Sequence, residues 1–252
     1  NWPKANPMLL EIENGNEYAQ GLYNKIKGDH DMAYGSNDIA KIREFLTKRC
    51  NLWQNANDNS FMEGAMDKFK SLAVSREEFL ELTKGLDCVV GLDLSKATDL
   101  TAEAFIFRLN DGRYAITARG FIAEESASKH ERTDRVPYID WAKPENDYCT
   151  LTPGDVVDYT YLIEDIVSRA KNNEWNVKEI AYDPYSAEYC TQDLENKGYM
   201  RVKVPQRVSW LSEPTKFFKK LVLEGNLVHD GSPLLTWCVS NAVITTDHQE
   251  NI

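Results

Sequence analysis

The chain has 252 residues, 42% of them hydrophobic and 27% charged, with a formal net charge of −11. That composition belongs to a water-facing globular protein, either one large domain or one domain with an appendage. No apolar run approaches the ~18 residues of a membrane span, so membrane anchoring by a helix is excluded. The acidic balance argues against non-specific coating of nucleic acid, though it allows an enzyme with an acidic metal site and a local basic rim.

The opening residues Asn1-Trp2-Pro3-Lys4 carry neither an initiator Met nor a signal-peptide pattern, and they read as the start of a fragment or a processed product. Residues 1–84 read as mostly helical. Tyr18, Leu22 and Ile26 repeat every four residues within Asn16–Lys27. Ser36 precedes a second amphipathic stretch with Ile39, Ile42, Phe45 and Leu46 on one face. The Asn-rich stretch from Asn51 to Ser60 reads as a loop, and Ser75-Arg76-Glu77-Glu78 as a capping box.

At Gly85 the pattern changes, which divides the sequence into 1–84 and 85–252. Leu86–Leu94 reads as a buried strand. Ala102–Leu109 and Arg113–Ile122 read as two more, joined at Asn110-Asp111-Gly112, where Asp-Gly marks a hairpin. The polar stretch from Glu124 to Pro153 reads as a long loop with Tyr138 and Trp141 as anchors. Asp155–Asn172 is an amphipathic helix, and Lys178–Asp183 a short strand ending on an acid. Ser186 caps a helix closed by Gly198, Arg201–Val204 is a strand, and Ser212–Glu224 is a helix stopped by Gly225. A last helix covers Leu234–Val243. Three strands followed by alternating helix and strand describe a mixed α/β sheet flanked by helices, an order compatible with several α/β folds.

Two acids stand out. Asp93 lies near the end of the first strand, and strand alternation turns it away from Leu92 and Leu94. Asp183 ends a later strand. If those strands are neighbours, two carboxylates converge and repel, and a divalent cation removes the conflict. Such a pair suits metal-assisted phosphodiester hydrolysis, in which two ions activate water and stabilise the leaving oxygen. Each acid alone is also compatible with a strand-end cap or turn former.

The motifs in their order narrow this. Asp93-Leu94-Ser95 with Thr98-Asp99-Leu100-Thr101-Ala102, Ile180-Ala181-Tyr182-Asp183-Pro184, Val204-Pro205-Gln206, Leu211-Ser212-Glu213-Pro214-Thr215-Lys216, and Leu227-Val228-His229-Asp230-Gly231-Ser232-Pro233 leading to Trp237 and Asn241 resemble the nuclease domain of tailed-bacteriophage terminase large subunits. Trp2-Pro3-Lys4-Ala5-Asn6-Pro7 resembles the stretch after that family's ATPase core. The resemblance implies a ribonuclease H-like fold over 85–252, preceded by a helical linker or the end of the ATPase region over 1–84. It implies an endonuclease cutting concatemeric double-stranded viral DNA at the start and end of packaging, with Asp93 and Asp183 as catalytic and metal-binding acids for Mg²⁺ or Mn²⁺. It further implies portal protein and small terminase subunit as partners, an oligomeric motor, and a place in the host cytoplasm at the procapsid portal.

Two departures accompany it. No G-x-x-x-x-G-K-[ST] phosphate loop is present, so ATP belongs to a motor outside this sequence. The family's last acid lies on an element beyond Trp237 and Asn241, and Asp247 reads as preceding it, so the nuclease part reads as truncated at its C-terminus. Another ribonuclease H-like nuclease of resolvase or transposase type, and a non-catalytic docking module of the packaging motor, are the competing readings.

Other residues have more ordinary readings. The five cysteines, Cys50, Cys88, Cys149, Cys190 and Cys238, are scattered without C-x-x-C spacing, as in a reducing compartment. The histidines (His30, His130, His229, His248) form no zinc motif. Asp99 shapes a loop, and His229 with Asp230 marks a strand end and turn. Tyr182, Tyr185 and Tyr189 pack at a strand-to-helix junction, with base stacking as the other reading. Lys96 is placed to meet a phosphate. Lys197, Arg201, Lys203 and Arg207, then Lys216, Lys219 and Lys220, form basic groups that read as a solvated face or a DNA contact.

Overall fold

The computed structural model describes residues 2–35, 39–51, 60–95, 99–185 and 188–244. Ser36, Lys96, Thr98, Ser186, Asp247 and His248, singled out above, lie outside them, as does 52–59 of the Asn-rich stretch. The chain forms two compact units, Asn1–Asn59 and Ser60–Ile252.

The first unit is helical: α1 (Trp2–Ala5), a 3-10 stretch (Pro7–Asn14), α2 (Glu17–Gly35) and α3 (Ile39–Cys50). Its core is Leu9, Ile26, Ala33 and Phe45, with Trp2, Leu22 and Ile42 packed against it. The expected stripe holds at Leu22 and Ile26 and departs at Tyr18. Tyr18 is 72% exposed, and Ala19 takes the inward place at the spacing of Ile26 and Ala33. A 2.7 Å ion pair from Arg49 to Asp29 and a 2.7 Å bond from Asn6 Nδ2 to the Arg49 carbonyl fasten α3 to the rest.

The second unit begins well before Gly85. Phe61, Met62, Ala65 and Phe69 of the segment around α4 (Met66–Ser71) are buried against Leu221, Val222, Leu227 and Leu235. Residues 60–84, grouped above with the preceding helices, therefore pack with the sheet. Their apolar residues complete a core that residues after 85 leave open. Ser75 caps α5 (Arg76–Thr83), its Oγ accepting from Glu78 N at 3.1 Å.

Among the described residues, seven strands make one sheet: β1 (Asp87–Asp93), β2 (Thr101–Arg108), β3 (Tyr114–Ala123), β4 (Cys149–Thr152), β5 (Asn176–Tyr182), β6 (Met200–Lys203) and β7 (Leu227–His229). Their order is β4-β3-β2-β1-β5-β6, with β7 beside β3. β1 to β3 form the expected antiparallel meander, and β5 and β6 run parallel to β1.

The expected loop from Glu124 to Pro153 is instead α6 (Glu124–Asp134), α7 (Tyr138–Trp141) and β4. Glu124 and Glu125 sit in the first turn of α6, where a helix favours negative charge. Tyr138 and Trp141 are buried anchors as expected. The remaining helices are α8 (Tyr159–Asn172), α9 (Glu188–Asn196), α10 (Val208–Glu224) and α11 (Pro233–Asn241).

The two sheet faces differ. On one, Val90, Leu92, Phe105 and Phe107 pack against Leu162, Ile163 and Ile166 of α8, with Phe79 and Trp175. At its edge this core holds a charged lattice. Arg169 Nη1 donates to Glu103 Oε1 at 3.1 Å, and Arg119 pairs with Asp147 and lies 3.5 Å from Asp165. Arg76 reaches Asp147 at 2.8 Å, and Thr117 Oγ1 donates to Asp230 at 2.6 Å and accepts from Arg169.

Four carboxyl groups thus face three guanidiniums. Glu103 is fully buried, and its carboxyl lies within hydrogen-bonding reach of that of Asp165; Glu103 Oε2 and Asp165 Oδ2 have no other hydrogen-bond partner, though Arg169 Nη1 lies 3.9 Å from the latter. A single proton between them balances both the charge and the bonds. Holding a carboxyl protonated at pH 7 costs about 3 kcal/mol, whereas desolvating an unbalanced charge costs several kcal/mol or more. Burial first, then the Asp165 charge, push the Glu103 carboxyl well above its ordinary range despite Arg169, the direction in which a shared proton acts.

The sign of the pH dependence follows. The folded state binds a proton that the unfolded chain releases, so this contribution is full below the ordinary carboxylate range and is lost as pH rises toward the folded value. The stability of the parent relative to Glu103→Gln, from urea denaturation across pH, is expected to fall by about 1.4 kcal/mol per pH unit above pH ~5. Parallel pH profiles for the two proteins would refute the shared proton.

Candidate metal centre

Asp93 ends β1 and Asp183 follows β5, and the two strands are parallel neighbours. Leu92 stands opposite Tyr182, so the next step of that register sets Asp93 level with Asp183. An irregularity makes this possible. Cys88 pairs with Val177 but Val89 pairs with Glu179, which leaves Lys178 as an extra residue in β5. Without it, Asp93 would stand opposite Tyr182. As expected, Leu92 and Leu94 are buried in the core on the other face.

Both acids line one cleft of about 360 Å³. Its floor is built from Gly91, Ala102, Ala104, Ala118 and Ala181, all small residues from the central strands, and its walls include Val204, Gln206, Leu211, Leu234, Leu235 and Cys238. Asp93 is exposed as a residue, yet the protein atoms crowding its carboxyl displace enough water to push its pKa up, and the Asp183 charge adds to this. Asp183 Oδ1 accepts from the backbone N–H of Tyr185 at 3.2 Å, which orients its carboxylate. Across the cleft, burial and the Asp93 charge raise the Cys238 thiol to about 11, so it stays protonated.

The glycines of this face report on space. A Cβ on Gly120 would meet Leu234 Cδ1 at 2.8 Å and Leu100 Cδ1 at 2.9 Å, so close packing of α11 on β3 demands glycine there. A Cβ on Gly91 would meet nothing within 4 Å. Glycine weakens a strand interior, so its presence beside Asp93 with nothing packed on it marks room for something that enters the cleft.

Two carboxyl groups at the ends of adjacent strands, with the pKa of Asp93 raised by burial and then by Asp183, suit a hard divalent cation, whose charge offsets both. Among the described residues no group of three His, Cys, Asp or Glu residues is placed to hold a metal.

The other singled-out residues fall elsewhere. Asp99 is an exposed bend residue in the β1–β2 loop, where Thr101 Oγ1 accepts from Ser95 N at 3.1 Å. His229 is buried and stacked on Phe69 at 4.2 Å, with Nε2 2.9 Å from the Phe69 carbonyl, and burial lowers its pKa. Tyr182 is buried in the core, but Tyr185 is 86% exposed; the side chain of Tyr189 lies outside the described residues. Arg201 pairs with Glu195, while Lys216 and Lys220 lie 3.8 Å from Glu213 and Glu224. Arg207, the N-cap residue of α10, is exposed. Sequence reasoning missed Gly91, Cys238 and the alanine floor. The alternation Thr-Ala-Glu-Ala-Phe-Ile-Phe in β2 carried the signal for the floor, with every second residue small or outward.

Residues 1–252 match the family described as terminase large subunit, endonuclease domain. Protein YmfN of Escherichia coli (strain K12) is 26% identical over 95% of this chain and 52% of its own length. The terminase large subunit of Enterobacteria phage HK97 is 27% identical over 64% of this chain and 32% of its own. The crystal structure of the HK97 bacteriophage large terminase superposes with a TM-score of 0.60 at 26% identity, over 71% of this chain and 38% of that one. The chain thus spans about half or less of the length of these relatives, and its fold is ribonuclease H-like as expected.

Repulsion between the two acids makes a prediction that needs no catalysis. In EDTA at neutral pH, Asp183→Asn is expected to raise the melting temperature by about 1–2 °C, because repulsion this open to water is screened to roughly 0.5 kcal/mol. Because the Asp93 carboxyl is raised in the folded parent, acidification should narrow the gap between parent and variant. A variant that melts at or below the parent at every pH would show that the two carboxylates do not interact.

Proposed function

Because the chain belongs to the terminase large-subunit endonuclease-domain family, we propose that it cuts double-stranded viral DNA during genome packaging by metal-dependent phosphodiester hydrolysis, with Asp93 and Asp183 as the metal-binding acids. The observation that carries this reading is the level placement of the two carboxylates at the ends of adjacent parallel strands, in a cleft with an open, small-residue floor.

The residues divide the work. Asp93 and Asp183 would hold the cations, Mg²⁺ or Mn²⁺, whose charge would relieve the repulsion between the two carboxyls. Bound in pairs, such ions supply positive charge that lowers the pKa of the attacking water and offsets charge on the phosphate and leaving oxygen. The Tyr185 N–H keeps the Asp183 carboxylate in one orientation. Gly91 and the alanines keep the floor low enough for a sugar-phosphate backbone to approach. The protonated Cys238 thiol adds no negative charge. In this reading the ATP-driven motor, the portal and the small subunit lie outside the chain and act with it in the host cytoplasm.

Asp183→Ala is expected to reduce nicking and linearisation of supercoiled plasmid in Mg²⁺ or Mn²⁺ by about 10³-fold or more, since each ~1.36 kcal/mol of lost transition-state stabilisation is tenfold in rate. In a longer protein that includes the motor, the same change should leave ATP hydrolysis nearly intact. A variant that cuts within a few-fold of the parent would make Asp183 structural and favour a docking role for the domain.

A further inference from the structure

Burying a large aromatic side chain is favourable, so exposed rings near a cleft are surfaces available to a flat ligand. This chain leaves two there. Tyr185 is 86% exposed and Trp210 is 56% exposed. β5 and β6 are parallel neighbours, so the segments leaving them emerge at the same end of the sheet, the end that carries Asp93 and Asp183. Tyr185 lies in the first of these segments, with its N–H bonded to Asp183 Oδ1 at 3.2 Å. Trp210 lies in the first turn of α10, between Gln206 and Leu211, both of which line the cleft.

The chemistry at this rim selects a ligand. The protein as a whole is acidic, at −11, and the cleft holds two acids, so an anionic polymer needs local cations to approach. Arg207 supplies one. It is exposed, it has no ion pair among the described residues, and its carbonyl accepts from Trp210 N at 2.8 Å, which places it within one turn of the ring. A guanidinium beside exposed aromatic rings is the combination that binds single-stranded nucleic acid: the cation meets phosphate, and the rings stack on bases. The cleft walls include the apolar Val204, Leu211 and Leu235, which suit a base rather than a phosphate. In closed duplex the π-faces of the bases are already covered by their neighbours, so exposed rings can stack on them only where the helix is opened.

Resting on the nuclease reading above, we propose that Trp210 and Tyr185 stack on nucleobases of the strand to be cut, so that the cleft engages DNA that is locally unpaired. The prediction is a preference for single-stranded or frayed DNA at the rim, set by two residues that hold no metal.

Intrinsic tryptophan fluorescence of the full chain, titrated with a 20-nucleotide oligothymidylate and with a 20-base-pair duplex in EDTA, tests this. The single strand should quench the parent. Trp210→Phe should lose most of the quenching while keeping affinity within about twofold, because phenylalanine still stacks. Trp210→Ala should bind the single strand about tenfold more weakly, with its melting temperature unchanged as proof of fold. Quenching in Trp210→Phe equal to the parent, or parent-like affinity in Trp210→Ala, would overturn the proposal. If Trp210→Ala binds and cuts DNA like the parent, the nuclease reading stands and this surface serves a protein contact instead. If the parent cuts no plasmid in Mg²⁺ or Mn²⁺, the nuclease reading falls on its own test, and the single-strand titration still decides the stacking.

Discussion

The pairing of β1 with β5 is the constraint on which the site depends. Side chains on a strand alternate between faces, so a shift of one residue sends every group to the other side. Here the shift is built in. Lys178 is the residue left over between the Val177 and Glu179 pairings, and everything after it is advanced by one position. Leu92 and Tyr182 then share the buried face, while Asp93 and Asp183 share the open one. A bulge spoils a ladder locally, and this one, near the start of β5, sets the register of the two acids at the far end of the strands.

The closed face completes the argument. Val90, Phe105, Leu162 and Ile166 fix the sheet on α8 by burial alone. The lattice of Glu103, Arg119, Asp165 and Arg169 adds direction, because charged groups away from water tolerate few arrangements. Glu103 lies opposite Leu92 in the ladder, one residue along from the pairing of Ala102 with Asp93. The strand that floors the cleft on one side is thus fastened to α8 on the other. The same backbone segment meets two opposite demands, a dry, fully bonded underside and a bare, open upper side.

Much of this was legible in the sequence, and the failures have causes. The meander was readable because Asp111-Gly112 marks a turn and the flanking runs are β-branched and aromatic. The two acids were readable because each ends an apolar run, and the alternation rule correctly turned Asp93 from its leucines. The stretch from Glu124 to Thr152 was misread because α6 is mostly polar, burying Ala127 alone, so its periodicity carries little contrast. The boundary at Gly85 marked a change of secondary structure, whereas the compact unit starts at Ser60 because Phe61 and Phe69 find their partners some 150 residues later, at Leu221 and Leu227. Such long-range packing has no local signature. The Arg169–Glu103 pair was invisible for the same reason, although a glutamate in phase with Phe105 and Phe107 announced that some partner had to exist.

Gly91 separates what keeps this protein folded from what keeps its cleft open. The position is in a central strand and its φ is ordinary, so an L-residue fits the backbone, and nothing within 4 Å would obstruct a Cβ. Strand interiors favour residues such as valine or threonine over glycine, so a population selected for thermal stability alone would drift away from glycine at this position. Gly120 would not drift, because Leu234 and Leu100 occupy the space a Cβ needs. Two glycines on one sheet face therefore answer to different selective pressures, one to the packing of the fold and the other to whatever passes above it.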